Sequence, residues 1–476
     1  MQGASQVVSQ SFPDASTEQV DSALRSAEDA FPVYRKLSGK DRARFLEAIA
    51  DGLERDAEEI IRITDNETSL GVHRLQMELQ RTAEQTRLFA DLARSEEWLE
   101  TREDKAEPNR QPLPKPALRS QNIPIGPIVV IGACNFPLAI SVVGTDTMSA
   151  LAVGCPVIVK SHPGHPATCE KLGALINEAA HATNMPAGTF GLLHGASHRV
   201  AQELVEHPRT KAVAFTGSLN GGKALAALAA GRLEPIPFHA EMGSLNPLFI
   251  LPGALRERGE DIARGYVAAV SLFAGQMCTK PGILAAIESP ELDSLLAAAY
   301  ANVKVSQPIA MLNSEIRDNF EASMDSLKGH AKLVSISDAT PDRSRDEAVC
   351  QLFIANASCF LNNPNLRTEA FGPGSLVLKA KSARELTQLG QSLEGNLTAS
   401  LHAGQGDNAL VAQLLPILEG KAGRILWNGF PPGVVPSPST HHGGPWPATT
   451  DSRHTSIGLF GYRRFVRPIC RQGFTS

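Results

Sequence analysis

Between residues 128 and 217, short apolar runs alternate with helix-like stretches, and this alternation confines the chain to few folds. The runs are 128–133 (IVVIGA), 156–160 (PVIVK), 189–193 (TFGLL) and 211–217 (KAVAFTG). The clearest helical stretches between them are 165–183 (HPATCEKLGALINEAAHAT) and 197–208 (SHRVAQELVEHP). Continuous apolar runs, unlike alternating ones, predict strands buried on both faces, hence a parallel sheet covered by helices in a doubly wound α/β arrangement. Ligands of such sheets gather at the carboxyl ends of the strands. Lys160 and the Gly217-Ser218 turn stand at two such ends, where a dinucleotide is expected. A second mixed α/β unit begins near Glu241 and runs to about residue 436, with strands at 247–251 and 282–287.

The flanks read differently. From Ser16 to about Ser95 the period is helical: Ser16 and Gln19 form a capping box, and Val20, Leu24, Ala27 and Phe31 share a face, as do Phe45, Ile49 and Leu53 further on. The passage 101–120 (TREDKAEPNRQPLPKPALRS) cannot continue a helix and reads as an exposed connection or extended arm. Residues 123–144 are mostly apolar, but Pro124, Pro127, Asn135 and Pro137 argue for a buried strand entering a functional turn and against a membrane span. The segment 431–456 is rich in Pro, Gly, Ser and Thr and reads as a long loop, functional or used in assembly.

At 476 residues the chain is too long for one hydrophobic core, so two or three domains are expected. A formal charge of −5, from 45 basic and 50 acidic residues, disfavours nucleic acid as a partner. Seven cysteines without C-x-x-C spacing argue against a disulfide framework or zinc site and for a reducing cytoplasm. The first sixteen residues carry no basic segment followed by an apolar one, so no secretory signal is expected.

The chemistry centres on two segments, Glu241-Met-Gly-Ser-Leu-Asn-Pro and Gly275-Gln-Met-Cys-Thr. A thiolate at Cys278 attacks carbonyl carbon, and a carboxylate at Glu241 activates water to cleave the thioester left behind. That pairing suits oxidation of an aldehyde to an acid.

Four further segments stand in order around these two: Ala133-Cys-Asn-Phe-Pro-Leu, Val159-Lys-Ser-His-Pro, Phe215-Thr-Gly-Ser and Glu369-Ala-Phe-Gly-Pro. With them the chain resembles the aldehyde dehydrogenase superfamily over essentially its whole length. The resemblance implies Cys278 as nucleophile, Glu241 as general base and Asn135 as the amide donor that, with the N–H of Cys278, forms an oxyanion hole. It implies a dinucleotide held by Lys160, Ser161, His162, Thr216, Gly217, Ser218, Glu369 and Phe371: Lys160 on the adenosine ribose, Ser218 at the pyrophosphate, Glu369 on the nicotinamide ribose, Phe371 beside the nicotinamide. NAD-selective relatives often carry a Glu three residues after the lysine; here Pro163 stands there, and His198 or Arg199 offers positive charge to a 2′-phosphate. NADP is therefore the expected cofactor, with NAD the alternative.

The implied architecture is an aldehyde-dehydrogenase-like α/β fold: a doubly wound dinucleotide-binding domain (1–106 and 128–240), an α/β catalytic domain (241–436) and a small β oligomerisation arm (107–127 and 437–476). A homodimer or homotetramer is expected. Within the superfamily, segments such as GRILWNGFPPGV and HGGPWPATTDSRHTSIG resemble bacterial α-ketoglutaric semialdehyde dehydrogenases, with an NADP-linked fatty aldehyde dehydrogenase in the same branch. Oxidation of α-ketoglutaric semialdehyde is the expected function; oxidation of medium- or long-chain aliphatic aldehydes, or an inactive scaffold with this fold, are the alternatives. Val143 replaces the arginine of succinic semialdehyde enzymes, leaving Arg453 and Lys280 as candidates for a substrate carboxylate. Lys280 alternatively lowers the pKa of the thiol or points to solvent. Cys134, beside Asn135, is expected near the reacting thiol and oxidisable. The other five cysteines are expected to be small buried hydrophobes. His441 and His442 lack a third ligand at suitable spacing, so no metal is expected and a loop role at the substrate mouth is assigned.

Overall fold

The computed structural model describes residues 11–431 and 433–474. The first ten residues, on which the reading of no secretory signal largely depends, lie outside the described residues. Four helices, Thr17–Tyr34, Gly39–Arg55, Ala57–Thr68 and Val72–Ser95, open the fold. The first begins as expected, with Ser16 Oγ accepting from the Gln19 N–H and Gln19 Oε1 accepting from the Ser16 N–H. Val20, Leu24, Ala27, Phe45, Ile49 and Leu53 are buried.

Strands β1 (Arg102–Asp104) and β2 (Leu118–Pro124) form an antiparallel pair around the exposed Pro-rich passage. A five-stranded parallel sheet follows: β3 (Ile128–Ile131), β4 (Val157–Lys160), β5 (Phe190–Leu193), β6 (Ala212–Thr216) and β7 (Phe238–Glu241), in the order β5-β4-β3-β6-β7. The order reverses at β3, so the crevice beyond its carboxyl end opens between the loops after β3 and β6. The apolar run 128–144 thus enters the central strand and leaves through the turn that carries Asn135.

The chain then crosses to a second sheet. Its strands are β8 (Leu248–Ile250), β9 (Ile283–Ile287), β11 (Lys332–Ile336), β13 (Gln351–Asn356), β14 (Gly374–Ala380), β15 (Asn396–His402) and β16 (Ala422–Trp427), in the order β11-β13-β14-β9-β8-β15-β16. Only β11 is antiparallel to its neighbour. Between them β10 (Ile309–Ala310) and β12 (Glu347–Ala348) make a short ribbon. Apolar clusters fill both faces of each sheet.

The last strand, β17 (Val466–Gln472), pairs with β2 and completes a three-stranded sheet with β1. The tail expected in the arm from residue 437 onward is therefore divided. Residues 466–472 join the arm, whereas 440–456 lie against the end of β7. They stay there through backbone bonds from Met242 N to Ala448 O (2.8 Å) and Thr450 N to Ala240 O (3.2 Å). Two cysteines expected inside are exposed: Cys359 on a short surface helix, Ala357–Asn362, and Cys470 on β17, whose side chains have no layer over them. No helix among the described residues is long and apolar enough to cross a membrane.

Candidate active site

Glu241 is the last residue of β7, and Cys278 follows a 3₁₀ turn, Leu272–Gly275, ahead of β9. The tail brings His442 between them. Its Nε2 lies 3.2 Å from Glu241 Oε1 and 3.4 Å from Cys278 Sγ. Glu241 and His442 are 4% and 1% exposed, while Cys278 keeps part of its side chain open. Ser456 Oγ donates to the other carboxylate oxygen of Glu241. Burial pushes the Glu241 carboxyl up, but the charge and hydrogen bond of His442, with Ser456, outweigh it and hold the group below its usual range. Burial likewise disfavours a charged His442, yet Glu241 and Cys278 together raise it to about 10. The Cys278 thiol is raised, by burial first, with Glu241 and Glu369 adding to the shift and His442 opposing it. The resting site is thus a neutral thiol beside a carboxylate–imidazolium pair. Behind Glu241 a cavity of about 20 Å³, lined also by His239, Asp451, His454 and Arg464, has room for one water.

Local strain and two amides aim the thiol. Phe273, Ala274 and Gly275 all have positive φ (53°, 55° and 66°), a left-handed run that only the surrounding packing can hold. A Cβ on Gly275 would come within 2.2 Å of Gly372 O. After the turn, Asn246 Nδ2 donates to Cys278 O (2.8 Å) and Lys280 O (3.0 Å), and its Oδ1 accepts from Thr398 Oγ1 (2.9 Å). Asn135 Nδ2 donates to Gln276 O (3.1 Å), two residues before the thiol. The helix Val72–Ser95 fixes that asparagine: Arg74 donates to Asn135 O and lies over Phe273 and Phe136, 4.1 and 4.9 Å from the ring centroids. Glu78 Oε1 accepts from the N–H groups of Leu138 and Ala139.

Of the expected dinucleotide residues, Lys160, Ser161, His162, Thr216, Gly217 and Ser218 stand at the carboxyl ends of β4 and β6. Lys160 is 8% exposed, and among the described residues no acceptor is hydrogen-bonded to its Nζ. Ser161 is buried with its N–H on Leu193 O (2.8 Å), and His162 Nδ1 accepts from Gly164 N. Thr216 ends β6 opposite Glu241, and Gly217 donates to Glu241 O (3.1 Å). Ser218 caps the helix Leu219–Gly231. Glu369 and Phe371, both half-buried, come from the loop before β14. Glu369 passes so close to Gly243 that a Cβ there would meet its carboxylate at 2.5 Å. Arg199 is engaged elsewhere, with Glu203 (2.8 Å) and Ala15 O (2.5 Å). A cavity of about 540 Å³ between Arg35, Trp98, Gln121 and Arg471 holds none of these residues.

The sequence pattern of the aldehyde dehydrogenase family matches residues 2–445. The chain belongs to that family. It is 42% identical to α-ketoglutaric semialdehyde dehydrogenase 2 of Azospirillum brasilense over 97% of its length and 88% of the relative's. It is 41% identical, over the same shares, to an α-ketoglutaric semialdehyde dehydrogenase of Acinetobacter baylyi. Among solved structures, an NAD-dependent aldehyde dehydrogenase of Sinorhizobium meliloti superposes with a TM-score of 0.81 at 22% identity, covering 98% of this chain and 89% of that one. A 1-pyrroline-5-carboxylate dehydrogenase gives 0.81 at 20% identity, over 96% and 86%. The protein is a nicotinamide-dependent aldehyde oxidoreductase.

Several expectations for this aldehyde dehydrogenase need correction. His442 is not at the substrate mouth: it is buried against both Glu241 and Cys278, partners invisible to spacing because they are remote in sequence. Lys280 reaches neither solvent nor an open pocket; its Nζ donates to Ala370 O (2.9 Å) and Gly374 O (2.8 Å). Arg453 turns out to solvent on Asp451, away from the thiol. Cys134 is buried, which pushes its thiol up to about 12 and keeps it protonated against oxidation. Arg74, Glu78, Asn246 and Ser456 were not anticipated; Asn246 and Ser456 lie inside the family-like segments 241–247 and 442–458, whereas Arg74 and Glu78 carry no local signal.

Proposed function

We propose that this chain oxidises α-ketoglutaric semialdehyde to 2-oxoglutarate, with NADP favoured over NAD. The observation that carries the substrate is identity of 41–42%, over nearly the whole chain, to two enzymes named for it. The crevice suits a dinucleotide: a buried Lys160 with no acceptor among the described residues, available to the ribose, the start of the helix at Ser218 for phosphate, and Glu369 for the second ribose. Pro163 in place of a carboxylate supports NADP.

Cys278 adds to the aldehyde carbon as its S–H proton passes to the Glu241–His442 pair. Negative charge then grows on the former carbonyl oxygen, where Asn135 Nδ2 and the Cys278 N–H stabilise it. Bound dinucleotide supplies the hydride acceptor for that carbon. Once the proton taken from the thiol has left the pair for solvent, Glu241 takes a proton from water as the water oxygen attacks the thioester, and the C–S bond breaks to release the acid while the sulfur takes that proton back as the thiol. Glu241→Gln should keep the first half: a burst of reduced cofactor equal to the enzyme present, then turnover slowed by about 10²-fold or more. Loss of the burst would remove Glu241 from the deacylation role.

For the substrate's carboxylate we favour Arg424 on β16, which lies close enough to Cys278 to feel its charge; its terminal nitrogens donate to Gly433 O (3.0 Å) and Pro431 O (2.9 Å), while its buried Nε has no partner among the described residues. Arg424→Ala should cut kcat/KM for the dicarboxylic semialdehyde by about 10–100-fold, the worth of a charged hydrogen bond, while sparing decanal. Rates with α-ketoglutaric semialdehyde, succinic semialdehyde and decanal, each with NAD and NADP, test the whole reading. Preference for decanal would make this an aliphatic aldehyde enzyme, and no rate with any would leave a scaffold. The β1-β2-β17 sheet, with open edges, supports a homodimer or homotetramer built through the arm, and seven free cysteines suit a reducing cytoplasm.

A further inference from the structure

Glu241, Cys278 and His442 are the one group among the described residues whose donor atoms, one from each side chain, all lie within 4.8 Å of one another in a metal-ligand combination. Four-coordinate zinc, with bonds of about 2.3 Å to sulfur and about 2.0–2.2 Å to nitrogen and oxygen, requires ligand-to-ligand edges of about 3.3–3.6 Å. Two edges are already near that size: 3.4 Å from Sγ to Nε2 and 3.2 Å from Nε2 to Oε1. The third, from Sγ to the carboxylate, spans at most 4.8 Å and shortens by rotation of the Glu241 side chain. All three ligands sit on supported backbone: Glu241 on a β-strand, Cys278 on a turn held by Asn246, His442 with its N–H on Thr455 Oγ1 (2.8 Å). The partly open side of Cys278 leaves a fourth position for water.

We infer that the resting site is also a binding site for a soft or borderline divalent cation, zinc above all, held by Cys278 Sγ, His442 Nε2 and Glu241 Oε1. The S–H bond breaks as the S–Zn bond forms, the imidazolium gives up its Nε2 proton as the N–Zn bond forms, and both protons leave to solvent with no change of oxidation state. Such an ion takes the sulfur lone pair needed for attack and the carboxylate needed for water, so it excludes the aldehyde reversibly. Hard cations such as magnesium, which prefer six oxygen ligands, gain nothing from a thiolate and an imidazole. The assignment depends on the positions of these three side chains and not on which aldehyde is the substrate.

The test is titration of the metal-free full-length enzyme with cobalt(II), read by its visible bands and by the thiolate-to-cobalt charge-transfer band. One equivalent per chain should give the intense spectrum of a four-coordinate thiolate site, and zinc should erase it. Zinc should inhibit competitively with aldehyde, a chelator should restore activity, and magnesium should do neither. Cys278→Ser, nearly isosteric, should abolish the charge-transfer band, and Glu241→Gln should weaken binding. A Cys359→Ser, Cys470→Ser double variant should leave it unchanged. A band that survives Cys278→Ser, or vanishes in the double variant, would assign the metal to surface cysteines and overturn the inference. So would absence of any thiolate–cobalt band. Because the spectrum needs no turnover, failure of the proposed substrate would leave this result readable.

Discussion

His442 shows how one side chain sets the reactivity of another. Its charge and hydrogen bond are the largest influence favouring the thiolate of Cys278; burial and the carboxylates of Glu241 and Glu369 oppose it. Removing it must therefore raise the thiol further. In His442→Asn the pH profile of inactivation by iodoacetamide should move to higher pH, with the rate at neutral pH falling by about tenfold for each unit of displacement. An unmoved profile would show that the imidazole does not act on the sulfur. The residues that supply this chemistry were legible to different degrees. Cys278, Glu241 and Asn135 sit in short motifs whose order is informative by itself. His442 stands in a Gly/Pro-rich stretch, and nothing within ten residues hints at either partner. Arg74 and Glu78 look like surface charges on an amphipathic helix until the Asn135 loop is seen lying across them.

At the scale of elements, continuous apolar runs located β3 to β6 to within a residue or two, because strands buried on both faces allow no polar interruption. The tail could not be read in that way. Its hydrogen bonds go to β7 and to Glu241 instead of to a periodic neighbour, so no pattern in its own sequence records where it lies. The loop before β14 is similar: what holds it is Lys280, through the carbonyls of Ala370 and Gly374. Burial lowers Lys280 to about 8, and burial raises nearby Glu369 to about 7 even though Lys280 pulls it down. Lys280→Met should thus have two effects. Two carbonyls lose their donor, at about 1–3 kcal/mol for each group left unsatisfied, and Glu369 titrates higher still. The KM for the dinucleotide should rise at neutral pH and recover as pH increases, while that for the aldehyde stays level. Parallel changes in both constants would deny the loop a separate role in holding the cofactor.

Across the whole molecule, two sheets and one strand-poor tail cooperate. The doubly wound sheet offers strand ends, the second sheet offers the thiol, and the tail closes the site before ending as β17 in the arm. Deleting residues 466–476 should leave the Cys278–His442–Glu241 contacts in place but strip β2 of its partner. Light scattering should then report a smaller assembly than that of the full chain, and an unchanged mass would move the interface away from the arm. The tail also has a consequence in time. A ribosome releases the thiol of residue 278 long before the imidazole of residue 442, and domains that emerge first fold first. Through that interval both sheets can form around a cysteine whose proton His442 does not yet draw away. The thiol of the nascent enzyme is therefore harder to ionise until the segment that carries His442 has been made and has folded against β7.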